Sequence, residues 1–127
     1  MNNKTVILNI IWLSSSLLGQ FPVQLNPDDM TEPINFTAGS DTEFLLTITA
    51  SANTNWAQAE SESATLVVII DGEFTDYNQD VVLYAGENEH LYHTSLGPIL
   101  EGEHSIQFKF DDAKSSTGAN LIEIGSI

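Results

Sequence analysis

The chain has 127 residues, with 18 acidic residues against three lysines and no arginine, a formal charge of −15 at pH 7, and no cysteine. This length predicts a single domain with one hydrophobic core. The charge excludes nucleic acids and anionic membranes as partners, because contacts to phosphates need clustered basic side chains. The absence of cysteine excludes disulfides, thiolate catalysis and cysteine-ligated metal sites. The classes of partner that remain are cations, basic proteins and neutral ligands such as sugars.

The first 19 residues have the pattern of a signal peptide. Residues 1–4 carry one positive charge and no acid, residues 5–18 are mostly apolar, and Gly19 supplies a small residue for cleavage. The apolar run is shorter than the roughly 20 residues of a membrane-spanning helix, so we expect no stable membrane anchor. Because Asn9 interrupts the run, an uncleaved anchor and a strand packed in the fold remain as alternatives. We therefore predict a secreted or cell-surface protein whose folded part is residues 20–127, either alone or within a longer protein.

Alternating hydrophobicity predicts strands along the rest of the chain. Residues 65–70 form a continuous, mostly β-branched run typical of a buried central strand, whereas residues 104–110 alternate and turn Ile106, Phe108 and Phe110 inward. No segment of similar length has the 3.6-residue period of a helix. Short strands at this spacing predict an all-β, two-sheet antiparallel sandwich, either immunoglobulin-like or a jelly roll. The predicted strands, in chain order, are residues 34–37, 44–50, 65–70, 81–85, 89–96, 104–110 and 120–127.

Three stretches in the second half of the chain carry a family resemblance. They read TLVVIIDGE from residue 65, DVVLYAGE from residue 80 and YHTSLGPILEGEHSIQFKF from residue 92. With the Leu-Gly-Pro turn and the Gly-x-His step, this pattern resembles β-sandwich modules of secreted glycan-active or adhesive proteins. Immunoglobulin-like, fibronectin-like and carbohydrate-binding domains share it. The resemblance implies a binding or spacing role and transfers no ligand residue, because a fold alone does not define a function.

Loop aromatics flanked by amides are the strongest indication of a ligand. The apolar face of a sugar packs on a flat aromatic ring, and amides hydrogen-bond its hydroxyls. Trp56 lies in the longest predicted loop, residues 51–64, and Tyr77 is followed by Asn78 and Gln79. The alternatives are a core tryptophan and an ordinary loop tyrosine. The candidate ligand-binding residues are Asn53, Asn55, Trp56, Gln58, Tyr77 and Asn78.

An acidic loop follows the predicted central strand and offers oxygen ligands for a hard cation such as calcium. An EF-hand is excluded, because the position that requires glycine is Val81, which opens a predicted strand. A simpler calcium loop and a solvated acidic turn remain as alternatives, and Ca²⁺ is the one candidate cofactor. The candidate metal ligands are Asp71, Glu73, Asp76, Asn78 and Asp80.

Two histidines come close together under one arrangement of strands. If residues 97–100 formed a hairpin loop, His93 and His104 would face each other and offer a zinc site with a nearby glutamate. The alternative for His104, which shares the parity of Ile106 and Phe108, is a hydrogen-bonded residue at the edge of the core. The prediction therefore depends on whether the two strands pair.

Motifs for catalysis are missing from the sequence. It contains no Gly-x-Ser-x-Gly elbow and no glycine-rich phosphate loop, and without arginine it lacks the usual clamp for anionic substrates. We therefore predict a non-catalytic module that binds neutral glycan. The alternative is a structural or adhesive subunit that is stabilised by calcium or salt and assembles with another protein through edge strands.

Overall fold

The strands of this chain pair into two antiparallel sheets. A computed structural model of the chain describes residues 12–13, 21–74 and 80–127. Within these residues the one helix is a single 3₁₀ turn at Asp112–Lys114. The strands are β1 (Trp12–Leu13), β2 (Val23–Leu25), β3 (Ile34–Ala38), β4 (Thr42–Ala52), β5 (Ala64–Ile70), β6 (Glu73–Phe74), β7 (Asp80–Leu83), β8 (His90–Ile99), β9 (Gly102–Phe110) and β10 (Ile122–Ser126).

The chain crosses from one sheet to the other at nearly every connection. The first sheet has the order β1-β3-β9-β5, with β6 and β7 both paired to the far side of β5, and the second has the order β2-β10-β4-β8. An immunoglobulin sandwich keeps its first two strands in one sheet, whereas here β2 and β3 lie in different sheets. The predicted two-sheet antiparallel sandwich is confirmed, and its strand order matches the jelly-roll version.

All seven predicted strands are present, with ends that differ from the prediction by at most three residues. β1 lies within the first 19 residues, where a packed strand remained as an alternative, and it has two residues; β2 and β6, which the sequence did not reveal, have only two or three residues each. Such strands are too short to show an alternation. β1 pairs with Phe36–Thr37 of β3. The rest of the predicted signal peptide lies outside the described residues. The described residues contain no helix that is long and apolar enough to cross a bilayer.

The core lies between the sheets and follows the predicted alternation. Phe44, Leu46 and Ile48 of β4 are buried, and Phe108 and Phe110 of β9 are fully enclosed. β9 pairs with one side of β5, and β6 and β7 pair with the other side. The continuous apolar run of β5 is buried on both faces of the sheet. Burying one large apolar side chain contributes about 1.5–3 kcal/mol, so these facing strands supply most of the favourable free energy of folding.

Two crossings lie side by side at one end of the sandwich, which we call the crossover end. The connection from β3 to β4 and the connection from β8 to β9 are joined there by a hydrogen bond from the Glu101 backbone N–H to Asp41 Oδ1 (2.7 Å). The hairpin that would bring two histidines together does not exist, because β8 pairs with β4 and β9 pairs with β3 and β5. His93 instead contacts Thr47 Oγ1 through its Nδ1 (3.0 Å), while His104 lies in the other sheet.

His104 ties together two turns of the crossover end. Its Nδ1 lies 2.6 Å from Asp71 Oδ2 and its Nε2 lies 2.8 Å from the Leu100 carbonyl oxygen, so both ring nitrogens donate when the ring is protonated. The hydrogen bond to Asp71 is the main cause that raises the pKa of His104, against the opposing effect of burial. For Asp71, burial opposes ionisation, but the bonds from His104 and the Ser105 N–H lower its pKa overall. The pair is therefore most stable when both groups are charged.

We expect this pair to make stability depend on pH. A raised folded-state pKa means that the contribution of His104 is complete below its ordinary value of about 6.5 and is lost as pH rises through the folded-state pKa. The free energy of unfolding, measured in urea from about pH 6 to about pH 9, should therefore fall more in the wild type than in His104→Gln. His93→Gln is the matched control and should keep the wild-type profile. Parallel profiles for wild type and His104→Gln would contradict this role.

Candidate functional site

Three loops meet at the other end of the sandwich and form an open polar groove. They connect β4 to β5, β7 to β8, and β9 to β10. The groove has a volume of about 580 Å³, within the range of small-molecule sites. Its lining consists mostly of amide, hydroxyl and carboxylate side chains, namely Asn53, Thr54, Asn55, Gln58, Ser61, Glu87 and Asn88, together with Gly118.

Asn53 fastens the first loop to the third. Its Oδ1 accepts the backbone N–H groups of Asn120 and Leu121, both at 2.9 Å. Its Nδ2 donates to Asn120 Oδ1 at 2.7 Å and to the Gly118 carbonyl at 3.5 Å. These bonds occupy both lone pairs of the oxygen and both hydrogens of the nitrogen. Asn53, a candidate ligand residue in the sequence, therefore holds the wall of the groove in place.

Gly118 is required where the first and third loops touch. A Cβ atom at this position would clash with Ser61 Oγ and would lie 2.8 Å from the Glu60 carbonyl. The Gly118 N–H donates to that same carbonyl at 2.6 Å. Any larger residue would force the two loops apart and widen the groove.

The second loop is fastened to the first through backbone and hydroxyl groups. Gly86, with a φ of +82° that favours glycine, donates its N–H to Thr54 Oγ1 at 3.1 Å. Its carbonyl accepts the Ala52 N–H at 3.3 Å. Within the first loop, Asn55 Oδ1 accepts the Ala57 N–H at 2.9 Å, the Asx turn expected for this residue type. These hydrogen bonds hold the first and second loops of the groove together.

Trp56 stands beside the groove with its ring open to solvent. The indole is 69% exposed, and its Nε1 donates to the Tyr84 carbonyl oxygen at 2.9 Å. This bond uses the only polar group of the side chain. The Tyr84 ring in turn meets Tyr92 edge to face, with centroids 6.1 Å apart. A fixed orientation and an exposed apolar face are what stacking of a ligand on an aromatic ring requires.

The groove also presents polar side chains that have no partner among the described residues. Gln58, Glu87 and Asn88 are exposed, and in the described part of the chain their side chains form no hydrogen bond or ion pair. Asn55 uses its oxygen in the turn, which leaves its amide nitrogen for another acceptor. These groups are available to hydrogen-bond a ligand lying in the groove.

A second concavity has the opposite character. It is an apolar opening of about 250 Å³ located where β10 ends beside β4, and its walls include Phe36, Phe44, Leu96 and Ile106. These side chains belong to the core. Because they offer no hydrogen-bonding group, this opening does not suit a hydroxyl-rich ligand.

The candidate calcium loop is only partly described. Asp71 bonds to His104 and to the Ser105 N–H, and Asp80 Oδ2 accepts Lys114 Nζ at 2.9 Å. Glu73 is exposed on β6. The described residues contain no group of three or more His, Asp or Glu side chains that could hold a metal ion. Asp76 and Asn78 lie outside these residues, so the calcium site stays a prediction.

The Trp56 loop has a neighbour that the sequence analysis did not single out. The candidates Tyr77 and Asn78 lie outside the described part of the chain, and their role stays a prediction. The structure joins the Trp56 loop to residues 84–88 through the Trp56–Tyr84 bond. A polar Gly-Glu-Asn run directly after a strand was the available signal, and it was missed because no aromatic residue stands in it.

We expect Asn53→Ala to destabilise the protein by about 2 kcal/mol, because it leaves two backbone N–H groups without an acceptor. Gln58→Ala changes an exposed amide in the same loop and should stay within about 0.5 kcal/mol. Urea unfolding of both variants measures the difference. Equal effects would show that Asn53 does not hold the loops.

No protein-family model matches the sequence, and a comparison with curated proteins finds no match. Solved structures do match. The C-terminal domain of EclA, a sugar-binding protein, has 11% sequence identity and a TM-score of 0.52, and the match covers 82% of this chain and 73% of that domain. A family 35 carbohydrate-binding module from an environmental isolate has 11% identity and a TM-score of 0.48, with coverage of 92% and 93%.

A third match is part of a much larger enzyme. It is the cycloisomaltooligosaccharide glucanotransferase of Paenibacillus sp., complexed with cycloisomaltoheptaose, with 15% identity and a TM-score of 0.51. The match covers 84% of this chain but only 13% of the enzyme. The similarity to EclA and to this enzyme shows the fold, and it confirms the resemblance of this chain to β-sandwich modules.

Proposed function

We propose that this chain is a secreted, non-catalytic module that binds neutral glycan in the groove beside Trp56. The observation that carries the proposal is the exposed indole, held in one orientation by the Tyr84 carbonyl and standing next to unpartnered polar side chains. Stacking supplies apolar contact area, and the side chains of Gln58 and Asn88 supply donors and acceptors for hydroxyls. The sugar-binding function of EclA, a protein with this fold, supports the assignment.

The groove chemistry also supports binding without catalysis. Glycosidases use a pair of carboxyl groups on either side of the scissile bond, whereas among the described residues Glu87 is the only carboxylate that lines the groove. The two lysines in the described part of the chain pair with carboxylates elsewhere, Lys109 with Asp28 and Lys114 with Asp80. A ligand in the groove therefore meets no basic group of the described residues, which supports a neutral rather than an acidic glycan.

We expect Trp56→Ala to weaken binding at least tenfold, a loss of about 1.4 kcal/mol. Trp56→Phe keeps an aromatic ring but loses the bond to Tyr84, so it should fall between Trp56→Ala and the wild type. Isothermal titration calorimetry with neutral gluco-, xylo- and manno-oligosaccharides measures the affinities. Phe74→Ala removes another aromatic side chain of similar exposure, 65%, outside the groove and serves as the control. Binding that survives Trp56→Ala, or no binding of any neutral sugar, would contradict the proposal.

A structural or adhesive subunit is the second candidate. β8 is ten residues long and lies at the edge of the second sheet, where Leu91 is exposed. A long edge strand is a template for pairing with another chain. For this role the strand would join a second protein, and calcium or salt would screen the repulsion between acidic surfaces.

These two functions give different results in solution. A structural subunit should assemble as its concentration rises and should melt at a higher temperature in calcium. Its melting temperature should not change on addition of sugars. A glycan-binding module should stay at constant mass and gain melting temperature from its sugar. Light scattering after size exclusion, combined with thermal melting in calcium or in oligosaccharide, separates the two. Assembly without any response to sugar would favour the structural subunit.

A further inference from the structure

Glu87 is the one charged side chain among the described residues that line the groove. It belongs to the loop that Gly86 fastens to Thr54, so the position of its backbone is set by the same bonds that shape the groove. The carboxylate is exposed and forms no hydrogen bond or ion pair in the part of the chain that the structure describes. Glu87 therefore presents an uncompensated negative charge to whatever occupies the groove.

From this geometry we propose that the groove prefers sugars that carry a free, protonated amino group over N-acetylated or neutral sugars. The inference rests on the proposed function and names the ligand class of the same site. An ammonium group donates three hydrogen bonds and carries the positive charge that would compensate the Glu87 carboxylate. A carboxylate also accepts hydrogen bonds from hydroxyl groups, so neutral sugars still bind, but they form no ion pair with Glu87.

The surroundings of Glu87 fit the same ligand. Gln58 and Asn88 line the groove and offer amides for the hydroxyl groups of an amino sugar. The exposed ring of Trp56, which does not line the groove but lies in the same loop as Gln58, offers a face on which the apolar side of the sugar stacks. No lysine of the described residues approaches the groove, because both pair with aspartates elsewhere. Nothing in this part of the site therefore competes with a ligand ammonium group for Glu87.

An exposed ion pair contributes up to about 1 kcal/mol, which corresponds to about a fivefold difference in affinity. We therefore expect a glucosamine disaccharide to bind about fivefold more tightly than its N-acetylated counterpart at about pH 6, where an ordinary amine is protonated. Raising the salt concentration should reduce this preference, because salt screens exposed charges. A glucose disaccharide should bind like the N-acetylated sugar.

The matched variants separate a local pairing from the attraction of an acidic protein for any cation. Glu87→Gln should make the affinities for the three disaccharides equal within about twofold, because the amide carries no charge to pair with an ammonium group. Glu89→Gln removes the same charge two residues away, where the carboxylate lies over Gly125 of β10, and should keep the preference.

Isothermal titration calorimetry of these three disaccharides against the full chain and both variants gives the answer. A preference lost in Glu87→Gln and kept in Glu89→Gln supports the inference. Equal affinities for all three sugars, or a preference that both variants reduce alike, would overturn it while leaving glycan binding intact. If none of the three binds, and the wider oligosaccharide panel fails as well, the proposed function is overturned with it.

Discussion

The burial of alternate side chains between two sheets is the constraint on which the whole molecule depends. Phe44, Leu46 and Ile48 face Phe108 and Phe110 across the core, and shifting one strand by a single residue would turn its apolar set toward water. Because this pairing holds the ends of β4, β7 and β10 at one end of the sandwich, the loops that follow or precede them meet there. The groove exists because the core determines where those strands end.

Hydrogen bonds between segments far apart in the sequence then hold the loops of the groove together. Asn53 joins the first loop to the third, Thr54 joins it to the second, and the Trp56 indole adds a further link to the second. Since most polar groups of the floor are paired within the protein, ligand binding does not need to order these loops. Preorganisation of this kind reduces the entropy lost on binding. The side chains that stay unpartnered, including Gln58 and Glu87, are those at the open side.

The sequence allowed much of the fold to be predicted because half-buried strands leave a two-residue period. β4 alternates along its length and β9 alternates from Ile106, while β5 is apolar except for Thr65 and is buried on both faces. What the sequence could not show is which strands pair. The contact of His93 with His104, which depended on a hairpin, does not form for this reason, because Gly97 lies at a bulge within β8 and the chain then crosses to the other sheet. His104 is instead hydrogen-bonded through both ring nitrogens, in line with the alternative for this residue.

The site was predictable only in part, and for a similar reason. Trp56 and its neighbouring amides form a pattern visible in one loop, so the sequence alone selects this segment as a candidate. Glu87 and Asn88 become part of the groove only through the pairing of β7 with β5, which brings their loop beside Trp56. A hydrogen bond from an indole to a distant backbone carbonyl leaves no trace in sequence spacing.

The central claim is that a glycan occupies the groove between residues 53–61 and 84–88. Nuclear magnetic resonance of the ¹⁵N-labelled chain, titrated with the tightest-binding oligosaccharide, tests it most directly, because each backbone amide and the Trp56 indole N–H report separately. We predict saturable shifts at the Trp56 indole and at the amides of Gln58, Glu87 and Asn88, with the outer strands unchanged. Shifts confined to β8 or to the crossover end, with the Trp56 indole unmoved, would contradict the account.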